Sequence, residues 1–381
     1  MKRKILYITG TRADYGLMRS VLWEMEKNPD IDLELIVTGM HLMKEFGMTV
    51  NDIEKDGFKF NEIDATFKED NKLSMVKFIG EFIKSLSKVI LKINPDIILL
   101  LGDRSEMLGG AIVGAYLNIP TAHLHGGEIT STVDEYARHA ITKLVNIHLP
   151  ATGKSAERII KMGENPNNVF VVGAPGLDPI LSEKLLNPDE ISLTYNLNLS
   201  EPIILVVQHP VTLESKNAEF QARETLDAIV ELEKQTIILY PNADAGGRKI
   251  IETIKKYENY PFINTYKNIP SIEYLSLMNI ASVIVGNSSS GIIEAPSFKL
   301  PAVNIGSRQD GREQALNVIN VDYDKNNIKK AILKAIYNEE FKKIVEKCEN
   351  PYGNGKTGKK VVDILSNIKL SDELMNKKLN L

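Results

Sequence analysis

The chain has 381 residues, 43% of them hydrophobic and 25% charged, with a net charge of −4 and a single cysteine, Cys348. That length exceeds one ordinary core and suits two domains of a water-soluble globular protein. With no long basic block, no apolar run longer than a strand and one thiol, the sequence gives no support to nucleic-acid or membrane binding, a membrane span, an internal disulfide or a thiolate metal cluster.

From the N-terminus, apolar runs of strand length alternate with stretches of helical period. KILYIT precedes LMRSVLWEMEKN, and its apolar core is too short for a secretory signal, so a cytosolic location is expected. LELIVT precedes HLMKEFGMTVNDIEKDG, DIILLLG precedes SEMLGGAIVGAYLN, and TAHLH precedes DEYARHAITKLVN; NVFVVG reads as a closing strand near position 173. After GLDPILSEKLLNPDE the rhythm restarts: PIILVVQ, TIILYP, PFINTY and SVIVG each precede a helical or turn segment, and PAVNIG comes last. Continuous apolar strands of this kind form parallel sheets covered on both faces. The expectation is α/β: two Rossmann-like, doubly wound parallel-sheet domains facing a cleft, a GT-B-like arrangement. Residues 1–176 would form the first domain and 177–359 the second, with the helical segment 360–381 packing back onto the first.

Ligands of open α/β sheets bind beyond the carboxyl ends of the strands, so the residues just after each apolar run are the informative ones. Gly10, Thr11, Arg12 and Asp14 come after the first, Asp103, Arg104 and Glu106 after the third, and His125, Gly126, Gly127 and Glu128 after the fourth. In the second half the corresponding residues are His209, then Asn242 and Asp244, then Asn287, Ser288, Ser289 and Ser290. Six such strand ends carrying ionisable or polar groups point to one site, whereas any single one is also readable as a solvated loop tip. In GNSSSGIIEAPS a helix is expected from about Gly291. Its free N–H groups and the serine hydroxyls suit a diphosphate, although Ser290 is also an ordinary cap. Arg308 and Arg312 add cations, and Glu294, one turn in, suits ribose hydroxyls or simply the helix dipole.

Other motifs fail on inspection. GTRADYG lacks the dinucleotide G-x-G-x-x-G spacing, and GNGKTGKK lacks the first P-loop glycine and comes after a helix rather than a strand. His123 and His125, two apart at a strand end, share a face and with Glu128 or His139 could be read as metal ligands, but no metal site is expected. His41 and His148 are expected to be structural, and His139 reads either as a residue that orients Asp134 or as a packed helix residue.

Taken together, GTRADYG, VTGMHL, LGDRSE, HGGEITSTVDEYARHAITKL, QHPVTLE, YPNAD, GNSSSGIIEAP and GSRQDGRE resemble the hydrolysing UDP-N-acetylglucosamine 2-epimerase family nearly end to end. That family makes N-acetylmannosamine for sialic acid synthesis, and near relatives act on a 2,4-diacetamido-trideoxy sugar for legionaminic acid. The resemblance implies a UDP-sugar substrate and a homodimer. It implies nucleotide contacts from His209, Asn242, Ser288, Ser289, Glu294 and Arg308, with Arg12 and Arg104, and acid–base roles for Asp103 and Asp134. Where the family often carries a further carboxylate, HxEGGE, this chain reads HLHGGE, placing His125 there.

The implied chemistry is elimination of UDP across C1 and C2 to a 2-acetamidoglucal, then addition of water from the other face. It needs neutralisation of the diphosphate and an acid–base set drawn from Asp103, Asp134, His125 and Glu128. It needs neither metal nor redox cofactor. The alternatives are a non-hydrolysing epimerase, a glycosyltransferase of the same architecture, and a catalytically dead nucleotide-sugar-binding protein. Asp103 and Asp134 are each also readable as caps or first-turn acids of the helices they precede.

Overall fold

The computed structural model describes residues 2–44, 47–65, 72–129, 134–182, 185–241 and 246–380, apart from the side chains of 72, 134, 181–182 and 212–213. The chain divides into two compact units: 1–128, 133–178 and 352–381 form the first, and 129–132 with 179–351 the second. The boundaries thus fall at 178 and 352, where the sequence suggested 176 and 359.

In the first unit the elements run β1 (Arg3–Thr9), α1 (Arg12–Lys27), β2 (Ile31–Val37), α2 (Val50–Lys55), β3 (Phe60–Glu62), α3 (Lys72–Ile93), β4 (Ile97–Leu101), α4 (Ser105–Leu117), β5 (Thr121–Leu124), α5 (Asp134–Leu144), β6 (Ile147–Leu149) and α6 (Gly153–Lys161). The boundary helix α7 (Asp178–Ser182) leads to α8 (Pro188–Tyr195), β7 (Ile204–Val207), α9 (Ala218–Val230), β8 (Thr236–Leu239), α10 (Gly247–Lys255), β9 (Ile263–Tyr266), α11 (Ser271–Ile280) and β10 (Val283–Gly286). Then come α12 (Ser290–Ile293), β11 (Ala302–Ile305), β12 (Val318–Val321), α13 (Lys325–Tyr337) and α14 (Glu339–Glu346); α15 (Thr357–Asn367) and α16 (Asp372–Met375) return to the first unit.

Both sheets have six strands, in the orders β3-β2-β1-β4-β5-β6 and β12-β11-β10-β7-β8-β9, and every pairing is parallel. Each is the doubly wound order, reversing between β1 and β4 and between β7 and β10. The α/β class read from the sequence is therefore what the chain forms. Strand β4 is buried along its whole length because helices cover both faces: Ile97, Leu99 and Leu101 join one core, Ile98 and Leu100 the other.

Three expected elements differ. NVFVVG forms no strand; only Val169 bridges to His148, because β6 stops at Pro150, which has no N–H to extend a ladder. The segment 41–57 is not one helix. A 3-10 turn (Gly39–Leu42) and α2 are separated by Gly47 and Met48, both at positive φ (87° and 49°). The helix after β10 is only four residues long, since Pro296 forces a 3-10 turn (Ala295–Phe298) immediately behind it.

Helix α15 packs on α1, and Val361, Val362 and Leu365 enter the first unit's core. Its first N–H groups explain GNGKTGKK. Thr357 and Gly358 donate to the Asp178 carboxylate at 2.9 and 2.7 Å, so the chain's own carboxylate occupies that helix start.

Candidate active site

The first unit's sheet reverses between β1 and β4, and polar residues gather beyond those ends. Thr11 and Asp14 form a capping box at the start of α1, which leaves Arg12 exposed on its first turn. The Asp14 carboxylate also accepts from Gly10 N at 3.1 Å and from the Thr9 hydroxyl. Burial raises its pKa to about 6; the Thr9 hydrogen bond opposes this, and nearby Glu106 adds to it. Arg104 precedes α4 and lies 3.4 Å from the fully buried Glu106 carboxylate, which limits where its guanidinium can point.

Strands β4 and β5 are neighbours, with Leu101 opposite Leu124, so Asp103 and His125 leave adjacent strand ends. The imidazole of His123 fastens these ends by donating from Nε2 to Gly102 O at 2.6 Å. Burial pushes its pKa down to about 3 despite that hydrogen bond, so it is neutral. His125 adopts φ 61°, a left-handed conformation that a non-glycine residue holds only at a cost, and its Nδ1 lies 2.6 Å from Glu128 Oε1. Gly127, at φ 74°, makes the turn between them possible. A Cβ there would lie 2.3 Å from Ser155 O. Arg138, on α5 and only 4% exposed, donates from Nη1 to Glu128 O at 3.1 Å and from Nη2 to the Asp103 carboxylate. Asp134 opens α5, but its side chain lies outside the described residues.

In the second unit the reversal falls between β7 and β10, where buried Asn287 joins the two ends. It accepts from His209 N at 2.7 Å and donates to His209 O at 2.9 Å, and its own carbonyl accepts from Arg308 Nη1 and Gln309 Nε2 at 3.1 and 2.8 Å. His209, Ser288, Ser289 and Arg308 are thereby gathered around one residue. Gly286, at φ 130°, allows the approach: a Cβ would fall 2.2 Å from Val207 O. The hydroxyls of Ser288 and Ser290 lie 2.8 Å apart, and Ser290 also meets the Tyr274 hydroxyl at 2.7 Å. With α12 a single turn, Glu294 sits at its C-terminal end rather than one turn into a longer helix. Asn242 and Asp244 lie outside the described residues.

The structure thus brings Asp103, His125 and Glu128 together in the first unit, near Arg104, and His209, Ser288, Ser289 and Arg308 together in the second. His123 and His125 are committed to different partners. His41 lies between the hydroxyls of Thr9 and Thr49, His148 meets Glu164, and His139 pairs with Glu135 on its own helix. Sequence reasoning assigned no role to Arg138 or Glu106 and missed the fastening by Asn287. No group of three or more His, Cys, Asp or Glu among the described residues is placed to hold a metal. No helix among them is long and apolar enough to cross a membrane.

A family model described as UDP-N-acetylglucosamine 2-epimerase matches residues 23–366. The chain is 43% identical, over 99% of both chains, to the UDP-N,N'-diacetylbacillosamine 2-epimerase (hydrolyzing) of Legionella pneumophila. It is 36% identical, over 87% of both chains, to a UDP-N-acetylglucosamine 2-epimerase of Neisseria meningitidis. Its fold matches the crystal structure of UDP-GlcNAc 2-epimerase from Neisseria meningitidis bound to UDP-GlcNAc, with a TM-score of 0.80 at 19% identity over 95% of this chain and 99% of that one.

Proposed function

The chain belongs to the UDP-N-acetylglucosamine 2-epimerase family, and on that premise we propose that it is a hydrolysing 2-epimerase of a UDP-2-acetamido sugar. The observation that carries this reading is that Asp103 and the His125–Glu128 pair leave adjacent strand ends and are joined through Arg138. In the proposed reaction a base removes the C2 proton as the C1–O bond breaks and UDP departs, leaving a 2-acetamidoglucal with its double bond between C1 and C2. Water then adds its oxygen to C1 while C2 is protonated from the opposite face. Asp103, Asp134, His125 and Glu128 supply the acid–base groups, and the steps call for neither metal nor redox cofactor. UDP is held by His209, Asn242, Ser288, Ser289, Glu294 and Arg308, with Arg12 and Arg104 as further cations.

Two sugars fit this chemistry. The 43% identity to the Legionella relative favours the 2,4-diacetamido-trideoxy sugar, and the 36% identity to the Neisseria relative keeps UDP-N-acetylglucosamine as the second reading. Proton NMR in deuterated water with each substrate tests both. Free UDP and a C2-deuterated, inverted free sugar are expected, with the larger kcat/KM for the diacetamido substrate. An inverted sugar still joined to UDP would sink the hydrolysing assignment, and a larger kcat/KM for UDP-N-acetylglucosamine would reverse the order of substrates. A second prediction concerns the nucleotide. Replacing Ser289 and Arg308 together by Ala weakens UDP binding by about 30-fold in calorimetric titration, the scale of one or two hydrogen bonds to a charged group. Unchanged affinity would move the diphosphate away from this loop.

A further inference from the structure

We propose that Arg138 is a positioning residue for the reaction: one buried guanidinium holds Asp103 and the His125–Glu128 turn together as a single acid–base set. This rests on the hydrolysing-epimerase reading. A guanidinium only 4% exposed must be paired, and its partners include the Asp103 carboxylate and, at 3.1 Å, Glu128 O. Those partners lie on the loops after β4 and β5, so the planar fork of one side chain fixes the spacing of two separate loops. The helix that carries the fork is itself anchored. Thr142 Oγ1 donates to Arg138 O at 3.0 Å, and Lys377 caps the far end of α5 by donating to Thr142 O at 2.9 Å and to Val145 O.

The contact also sets charge. A guanidinium touching a carboxylate favours its ionised form, which suits Asp103 to accept a proton. Other charged or titratable groups on the surrounding elements are Arg104 just before α4, Glu106 on it, His123, His125 and Glu128 at and beyond β5, and Asp134, Glu135, Tyr136, His139 and Lys143 on α5. The contact that spans both loops belongs to Arg138.

Two variants test the assignment. Arg138→Lys keeps the charge but cannot reach both loops; kcat falls about 100-fold, the cost of roughly 1 Å of misplacement, while KM and UDP affinity stay within about threefold. Arg138→Gln keeps a planar donor but loses the charge; the acid limb of kcat/KM moves up by about a pH unit or more, because a base with a raised pKa must wait for higher pH to ionise. The titration of the Asp103 carboxyl, followed by carbon-13 NMR and identified by its loss in Asp103→Asn, rises in parallel in Arg138→Gln. That signal needs no turnover, so a chain inactive on both UDP-sugars would defeat the functional reading yet leave this inference testable. Wild-type kcat in Arg138→Lys, or an Asp103 titration unchanged in Arg138→Gln, overturns it. Should Arg138→Gln fail to fold, the Lys variant still decides.

Discussion

Asp103→Asn lowers turnover at least about 1,000-fold while leaving UDP affinity within a few-fold. Loss of a positioned acid or base costs roughly 100- to 10,000-fold, and the expected effect lies inside that range. The substitution is nearly isosteric. The amide that replaces the carboxylate still offers a carbonyl oxygen to Arg138, so the fold loses less than the roughly 3–5 kcal/mol of an abandoned buried ion pair. The side chain of Asp103 is 20% exposed, so it is accessible from solvent. Of the groups assigned to UDP only Arg104 shares the loop of Asp103, and most of the others belong to the second unit. Calorimetric titration with UDP and NMR detection of deuterium at C2 check the two halves of the prediction. A collapse of UDP affinity in step with activity would remove Asp103 from the sugar chemistry.

Strands such as β4, β7 and β10 were legible because burial on both faces writes an uninterrupted apolar run. The strand order was not, since the parallel register depends on packing across the sheet; the rule that ligands sit beyond carboxyl ends nevertheless pointed to the loops that carry the ionisable groups. The failures share a local cause. NVFVVG has strand composition but lies beside a β6 cut short by Pro150; HLMKEFGMTV has helical composition but contains residues at positive φ; GIIEAPSF runs into Pro296. In the site, Asp103, His125 and Glu128 stood out as ionisable groups where loops would otherwise be bland. Arg138 did not, because DEYARH reads as an ordinary solvent-facing first turn and a half. Its burial arises only when α5 packs beside α4 and brings the guanidinium to the loops after β4 and β5. Asn287 was noticed as a strand-end residue, but its fastening role depends on His209 and Arg308, remote in sequence and adjacent only in the folded sheet.

Acid weakens the first unit well before ordinary carboxylate titration begins. His41, His123 and His148 are all buried there, and burial is the main cause that lowers each pKa, to about 4 for His41 and about 3 for His123. In the unfolded chain a histidine titrates near 6.5, so the fold's preference for the neutral ring is fully present above that pH and is lost as pH falls below it. At about pH 5, His41 and His123 each withdraw about 2 kcal/mol, and His148 acts in the same direction. Asp14 opposes them. Its pKa is raised to about 6, so the fold regains roughly 1.4 kcal/mol as it protonates, leaving a net loss of about 3 kcal/mol before His148, which adds to it, and Asp178, whose pKa burial also raises, are counted. Glu164, held down at about 2 by His148, Lys143 and Lys377 against the larger desolvation effect, contributes only below its ordinary value of 4.5 and so leaves this window to the histidines. Urea unfolding at about pH 7 and pH 5, with hydrogen exchange to locate the change, should show the first unit losing protection while the second holds. Equal protection at both pH values would mean these rings are not held neutral. His123→Gln retains a donor for Gly102 O and should flatten the pH dependence by about one proton. Because His123 holds the carbonyl immediately before Asp103, activity should fall reversibly at a higher pH than the unfolding midpoint, and in His123→Gln that gap should narrow.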